Sequence, residues 1–239
     1  MPEPAVILVP TYNERDTIVR CLEALWGLQG VDVAIIDDDS PDGTAAEVRR
    51  YLEARQQTEG FHERVRLIVR NRDRGFARSY LEGFRWALDS GYSSVVTLDA
   101  DLSHPVDRIP ALLQKTSEGA DVAIGSRYIP GGQVVGWGFL RRFISRFGNL
   151  VARARTRSGV SDMTSGFMAL KRDALAVIIE KPIMLEGYSF LILLKVRARR
   201  ARLRIVEVPI TFTDREQGRS KFGWTHIAEA VRALWSGKF

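Results

Sequence analysis

The chain has 239 residues, with 35 Lys and Arg against 29 Asp and Glu for a formal charge of +6, 45% hydrophobic and 27% charged residues. These proportions exclude an extended disordered chain and suit a single domain over residues 1–239. One cysteine, Cys21, excludes an internal disulfide and a cysteine-built zinc cluster.

The opening Met1-Pro2-Glu3-Pro4-Ala5 has no basic stretch leading into a long apolar one, so no secretory leader is expected. Residues 5–9 are apolar and stop at Pro10, as a buried strand entering a loop does. Residues 13–28 place Ile18, Leu22, Leu25 and Trp26 at helical spacing. Residues 31–36 form a second strand, halted by Asp37-Asp38-Asp39-Ser40-Pro41-Asp42-Gly43. A helix over 44–57 and a strand over 65–69 follow, then a helix over 76–88 with Tyr80, Phe84 and Leu88 on one face, and a fourth strand over 94–98. This alternation predicts a mainly parallel sheet with helices on both sides, an α/β fold.

The second half is less regular. It predicts a helix over 106–116, a strand over 121–125, a loop at Ile129-Pro130-Gly131-Gly132, and helices over 139–155 and 171–179. A strand over 204–208 ends at Pro209, a polar segment covers 215–223, and a last helix within 225–239 is, with 139–155, a candidate membrane-interface helix. The longest apolar run, Phe190-Leu191-Ile192-Leu193-Leu194, ends at Lys195, well short of the roughly 20 residues of a membrane span. Membrane contact is therefore expected to be peripheral.

Three segments carry chemistry. In Pro10-Thr11-Tyr12-Asn13-Glu14 an aromatic ring and a carboxylate follow a strand; they suit a nucleobase, although Asn13, Glu14 and Asp16 also suit a helix start. The acids Asp37, Asp38 and Asp39 suit ribose, base amines or a metal, or equally a solvated turn. Asp99-Ala100-Asp101 directly follows the apolar run over 94–98. Two carboxylates there need water, a cation or a metal, because burial of an unpaired charge is costly. Hard cations such as Mg²⁺ or Mn²⁺ take such oxygens and share them with substrate phosphates.

Residues 139–155 combine Leu140, Phe143, Ile144, Phe147, Leu150 and Val151 with Arg141, Arg142 and Arg146, the composition of a helix lying in a membrane interface or of a core-packed helix with a basic edge. The run from Lys195 to Arg202 is either a lipid-headgroup contact or a solvated face. The Lys195-to-Arg202 run has no interleaved aromatics of the kind that bind nucleic acid, and no nucleic-acid partner is expected.

These segments together resemble family-2 glycosyltransferases of GT-A fold, and within them the polyprenol-phosphate (dolichol-phosphate) mannose synthases. Later motifs extend the resemblance: Gly125-Ser126-Arg127-Tyr128, Ser165-Gly166-Phe167, Glu186-Gly187-Tyr188, Glu207-Val208-Pro209-Ile210 and Arg215-Glu216-Gln217-Gly218-Arg219-Ser220-Lys221. The resemblance implies transfer of mannose from GDP-mannose to a polyprenyl phosphate with inversion, at the cytoplasmic face of a membrane, with Mg²⁺ or Mn²⁺ as cofactor. A membrane-embedded partner protein is compatible with it. By matching position, Pro10, Tyr12, Glu14, Asp37, Asp39, Asp99, Ala100 and Asp101 would hold the donor. Asp99 and Asp101 would hold the metal, with Ser103 where relatives carry Gln. Arg127, Arg141, Ser145, Arg215 and Lys221 would surround the phosphates, and Asp99, Asp101, Arg127 and Arg215 would serve catalysis. The chain departs from the pattern at Leu191-Ile192-Leu193, where relatives carry Gln-x-Glu or Gln-x-Asp. A hexosyl transferase on undecaprenyl phosphate, and a non-catalytic binder of nucleotide sugar or lipid phosphate, are the competing readings.

Overall fold

The computed structural model describes residues 4–55, 57 and 64–214. Seven strands form the main sheet: β1 (Ala5–Thr11), β2 (Val31–Asp37), β3 (Val65–Val69), β4 (Ser94–Thr97), β5 (Val122–Ser126), β7 (Met168–Lys171) and β8 (Ile205–Pro209), in the order β3-β2-β1-β4-β7-β5-β8. Strands β1 to β4 pair in parallel, as do β5 and β8, while β7 runs antiparallel to both its neighbours. Two short strands, β6 (Gln133–Val135) and β9 (Thr211–Thr213), pair in parallel beside it.

The helices are α1 (Arg15–Trp26), α2 (Thr44–Ala54), α3 (Phe76–Asp89), α4 (Ile109–Ser117), α5 (Phe139–Thr156), α6 (Arg172–Ile179) and α7 (Gly187–Arg200). Alternate residues of each strand feed opposite faces. Ile7, Val9, Ile35 and Val96 meet Ile18, Leu22 and Leu25 of α1, Val48 of α2 and Leu112 of α4. Val6, Leu8, Ile36 and Val95 meet Tyr80 and Phe84 of α3, Leu175 of α6 and Phe190 of α7. Both faces are covered, which explains the near-continuous apolar sequence of β1, β2 and β4.

The connections run outward from β1 through β2 to β3, then return to β4 on the other side of β1. That reversal opens a crevice at the carboxyl ends of β1, β2 and β4. The segments starting at Pro10, Asp37 and Asp99 all emerge there.

Two expectations need correction. The Lys195-to-Arg202 run is not a single solvated or lipid-facing surface. Lys195 is buried, and Arg197 donates to the carbonyls of Ile178, Lys181 and Pro182, closing the end of α6. The helix expected over 171–179 starts at Arg172, with Lys171 closing β7 as its N-cap, whereas the loop expected at 129–132 is a turn ahead of the short strand β6. The expected helix within 225–239, with Arg215 and Lys221, lies outside the described residues.

Candidate active site

The β1–α1 and β2–α2 loops are stitched together at one end of the crevice. Asp37 is fully buried; its carboxylate accepts from Thr11 Oγ1 (2.8 Å), Ser40 N (3.0 Å) and Ser40 Oγ (2.6 Å). Ser40 Oγ in turn accepts from Asn13 N, Thr44 Oγ1 from Glu14 N and Asp42 from Arg15 N. Asp37 thus shapes the loop. Asp38 is buried against Arg70 and accepts from Gly75 N at 2.8 Å. Asp39, at φ 53°, is exposed and pairs with Arg74. Tyr12 is 42% exposed at the lip, with Pro10 and Glu14 partly buried beside it.

The Asp99-Ala100-Asp101 segment forms the crevice floor. Asp101 is buried, and its Oδ1 accepts from Ser103 N at 2.9 Å. Leu102 between them has φ 60°, a conformation unfavourable for a bulky side chain and concentrated in proteins at functional sites. Ser103 Oγ is buried without a hydrogen-bond partner among the described residues. Asp99 is partly exposed; Tyr80 OH donates to its Oδ1 at 3.3 Å, and its own N–H donates to His104 Nδ1 at 3.4 Å. Burial, and then Asp99 itself, hold the Tyr80 hydroxyl protonated far above its ordinary range. His104 stacks on Phe167 with its Nδ1 turned to the backbone of Asp99, so it braces the turn.

Among the described residues no cluster of three His, Cys, Asp or Glu side chains gathers for a metal. The donor set is two carboxylates and an orphaned buried hydroxyl. That set fits a hard cation completing its shell from substrate phosphate and water, and does not fit a closed structural site.

A second layer holds the basic side. Arg127 at the end of β5 donates through N, Nε and Nη2 to the Asp162 carboxylate (3.0, 2.7 and 2.7 Å), and through Nη2 to Thr164 Oγ1. Burial opposes both charges, yet the pairing wins: Asp162 is held below the usual carboxylate range and Arg127 above that of a guanidinium. Glu207 of β8 fixes the Asp162 loop by accepting from Ser161 N and Asp162 N. Gly132 crosses directly over this strand end, where a Cβ would lie 2.6 Å from Ser126 O. Asn149 locks α5 to the same loop: its Oδ1 accepts from Met163 N (2.8 Å) and Thr164 N (3.3 Å), and its Nδ2 donates to Thr164 Oγ1 (3.2 Å). Ser145 Oγ meets Tyr128 OH at 2.7 Å, and Arg141 pairs with Asp214 at 2.9 Å while lying over the Trp137 ring.

Sequence reading missed Asp162, Trp137, Tyr80 and Lys195. Asp162 finds its partner 35 residues away, which no local pattern announces. Trp137 is buried between Arg141 and Phe212, and its Nε1 has no hydrogen-bond partner among the described residues. Lys195 Nζ donates to Ser165 O (2.8 Å) and Leu191 O (3.3 Å), while Thr97 Oγ1 holds Gly166 O at 2.5 Å; Gly166 in turn packs beside Asp99, Tyr80 and Leu191.

Burial pulls Lys195 down from 10.5 to about 7. Between those values the unfolded chain binds the extra proton, so this group makes stability rise with pH across that window. Below it the full penalty of burying the charge persists. Lys195→Met is therefore expected to melt higher than the wild type at pH 6, by a margin that shrinks toward pH 10. Thermal scans at both pH values check this, and a margin independent of pH rules it out.

The fold is the GT-A form of the α/β class. The chain belongs to glycosyl transferase family 2, whose model matches residues 6–179. It is 38% identical over 227 residues to the polyprenol monophosphomannose synthase of Mycolicibacterium smegmatis, covering 95% of this chain and 83% of that one. It is 37% identical over 225 residues to the undecaprenyl-phosphate mannosyltransferase of Micrococcus luteus, covering 94% and 89%. Among solved structures, glucosyl-3-phosphoglycerate synthase from Mycobacterium tuberculosis, in complex with Mn²⁺ and UDP, superposes with a TM-score of 0.70 at 18% identity over 98% of this chain and 79% of that one. A mannosyltransferase from Pyrobaculum calidifontis, in complex with GDP-mannose and Mn²⁺, gives 0.65 at 19% identity over 97% and 65%.

Proposed function

We propose that this protein transfers mannose from GDP-mannose to a polyprenyl phosphate, inverting the anomeric centre. The observation that carries the reading is the Asp99–Asp101 turn with its orphaned Ser103 hydroxyl, at the sheet's crevice between an aromatic, acidic loop pair and a basic helix. The mannosyltransferases to which the chain is similar over nearly its whole length support the choice of sugar and acceptor.

Tyr12, Glu14 and Asp39 face the nucleoside, with Pro10 and Asp37 holding the loop that presents them. Asp99 and Asp101, with Ser103, would hold Mg²⁺ or Mn²⁺, whose chemistry when bound is to neutralise the departing diphosphate. Arg141 and Ser145 receive the acceptor phosphate. Arg127, committed to Asp162, positions Tyr128 and through it Ser145. An acceptor phosphate oxygen forms the new bond to the mannose anomeric carbon as the bond to the GDP β-phosphate oxygen breaks, the electron pair leaving with GDP. A phosphate monoester has a second pKa near about 6 and is largely dianionic at neutral pH, so no strong general base is required. The apolar Leu191 and Leu193 are consistent with that. Attack opposite the leaving group converts an α-linked donor into a β-linked product.

Among the described residues no helix is long and apolar enough to cross a membrane. Helix α5 instead exposes Phe139, Leu140, Phe143, Phe147 and Leu150, Phe139 to 86%. A bare face of this size suits insertion into the surface of the bilayer that holds the acceptor's polyprenyl chain.

Donor choice is tested by calorimetry. GDP-mannose is expected to bind with Mn²⁺ at least about tenfold more tightly than with EDTA, a difference of about 1.4 kcal/mol. Tighter binding of UDP-glucose than of GDP-mannose overturns the donor assignment.

A further inference from the structure

A cleft of about 270 Å³ opens between α5 and the loop after β5. Arg146, Leu150 and Arg153 form its helix wall, Tyr128 and Ile129 face them, and no carboxylate lines it. Arg127 also reaches it but is neutralised by Asp162, so the cleft's positive charge comes from Arg146 and Arg153. Both are exposed, and neither pairs with a carboxylate among the described residues.

Their place on the helix is informative. At about 100° per residue, Arg146 and Arg153 project about 140° and 120° round α5 from Arg141. The buried Asn149 and Ala152 fall at about 80° and 20°, and the exposed Phe143, Phe147 and Leu150 at about 180–240°. The two arginines thus lie on the seam between the face packed on protein and the bare apolar face. They also point well away from Arg141, and neither Arg141 nor Ser145 lines the cleft, which adjoins the place assigned above to the acceptor phosphate only through Tyr128.

We propose that this cleft is a second anion site that takes the phosphate head group of an anionic bilayer phospholipid. Phe143, Phe147 and Leu150 enter the acyl region beside it. The proposal rests on the membrane-docking reading above and deepens it. Two guanidinium groups suit the oxygens of a phosphodiester, and a seam between protein and apolar face is the depth at which head groups lie. Because Asn149 holds α5 against the protein, a bilayer-anchored phosphate here fixes the orientation of the whole protein on the membrane, and with it the direction in which Arg141 meets the acceptor.

The test compares binding of wild type, Arg146→Gln/Arg153→Gln and Arg142→Gln/Arg155→Gln to vesicles of phosphatidylcholine, with and without phosphatidylglycerol. Arg142 and Arg155 are exposed on the same helix but do not line the cleft, so the two doubles remove equal charge. Phosphatidylglycerol is expected to strengthen wild-type binding, and the cleft pair to lose about tenfold more of that gain than the control pair. Equal losses in both pairs overturn the cleft and leave docking intact, the attraction then being diffuse. A wild type that binds neither vesicle overturns docking and cleft together. In neutral detergent micelles the cleft pair is expected to keep the wild-type KM for polyprenyl phosphate. A raised KM there assigns the cleft to the acceptor and overturns the proposal.

Discussion

Asp101→Asn is expected to lower kcat about 10³-fold while leaving the fold intact. The amide oxygen still accepts from Ser103 N, so the strained turn at Leu102 keeps its shape. What disappears is one of two negative charges at the point where the diphosphate must be neutralised. The Mn²⁺-dependent part of GDP-mannose affinity should vanish with it, whereas binding in EDTA should change little. Single-turnover rates and calorimetry read the two effects separately. Turnover within about tenfold of wild type would remove Asp101 from the metal site, since tenfold corresponds to only about 1.4 kcal/mol of barrier.

The second large effect is on stability. Asp162→Ala leaves the Arg127 guanidinium buried without its carboxylate, and loss of one partner of such a pair costs about 3–5 kcal/mol. For a domain of this size that corresponds to a Tm lower by roughly 6–20 °C. Replacing both partners, as Arg127→Met/Asp162→Leu, should recover much of the Tm, because no charge is then stranded. Activity should not recover with it, since the backbone of Arg127 and the Tyr128–Ser145 contact are aligned through Asp162. An Asp162→Ala protein that melts within 2–3 °C of wild type, roughly the effect of about 1 kcal/mol, would show that the pair does not hold this strand end.

The first half of the fold was legible because its strands and helices obey separate periods. Ile18, Leu22 and Leu25 repeat as one helical face, while β1 is apolar up to Pro10 and β2 is apolar but for Asp32 up to Asp37. The C-terminal portion of the described chain hides its elements for particular reasons. Helix α7 buries residues all round, from Phe190 through Leu194 to Val196, and so shows no amphipathic stripe. Its Lys195 resembles a surface charge in sequence, but the fold folds it inward onto the Ser165 and Leu191 carbonyls. Strands β6 and β9 are each three residues long, and only their mutual pairing makes them strands.

The candidate site divides in the same way. The carboxylates stood out because Asp99 and Asp101 terminate an apolar run. The acidic loop was visible too, although its members separate in the structure: Asp37 is buried as a loop brace, and Asp39 is exposed beside Arg74. Asp162 and Trp137 were invisible because their roles arise from contacts between distant segments, Asp162 with Arg127 and Trp137 with Phe212.

The most direct measurement is transfer of radiolabelled mannose from GDP-mannose to a polyprenyl phosphate in detergent, with Mg²⁺ or Mn²⁺ and with EDTA, followed by assignment of the product's anomeric configuration. The expected result is a metal-dependent, mild-acid-labile lipid carrying β-linked mannose. An α-linked product contradicts the single displacement, and label transferred only from UDP-glucose contradicts the donor.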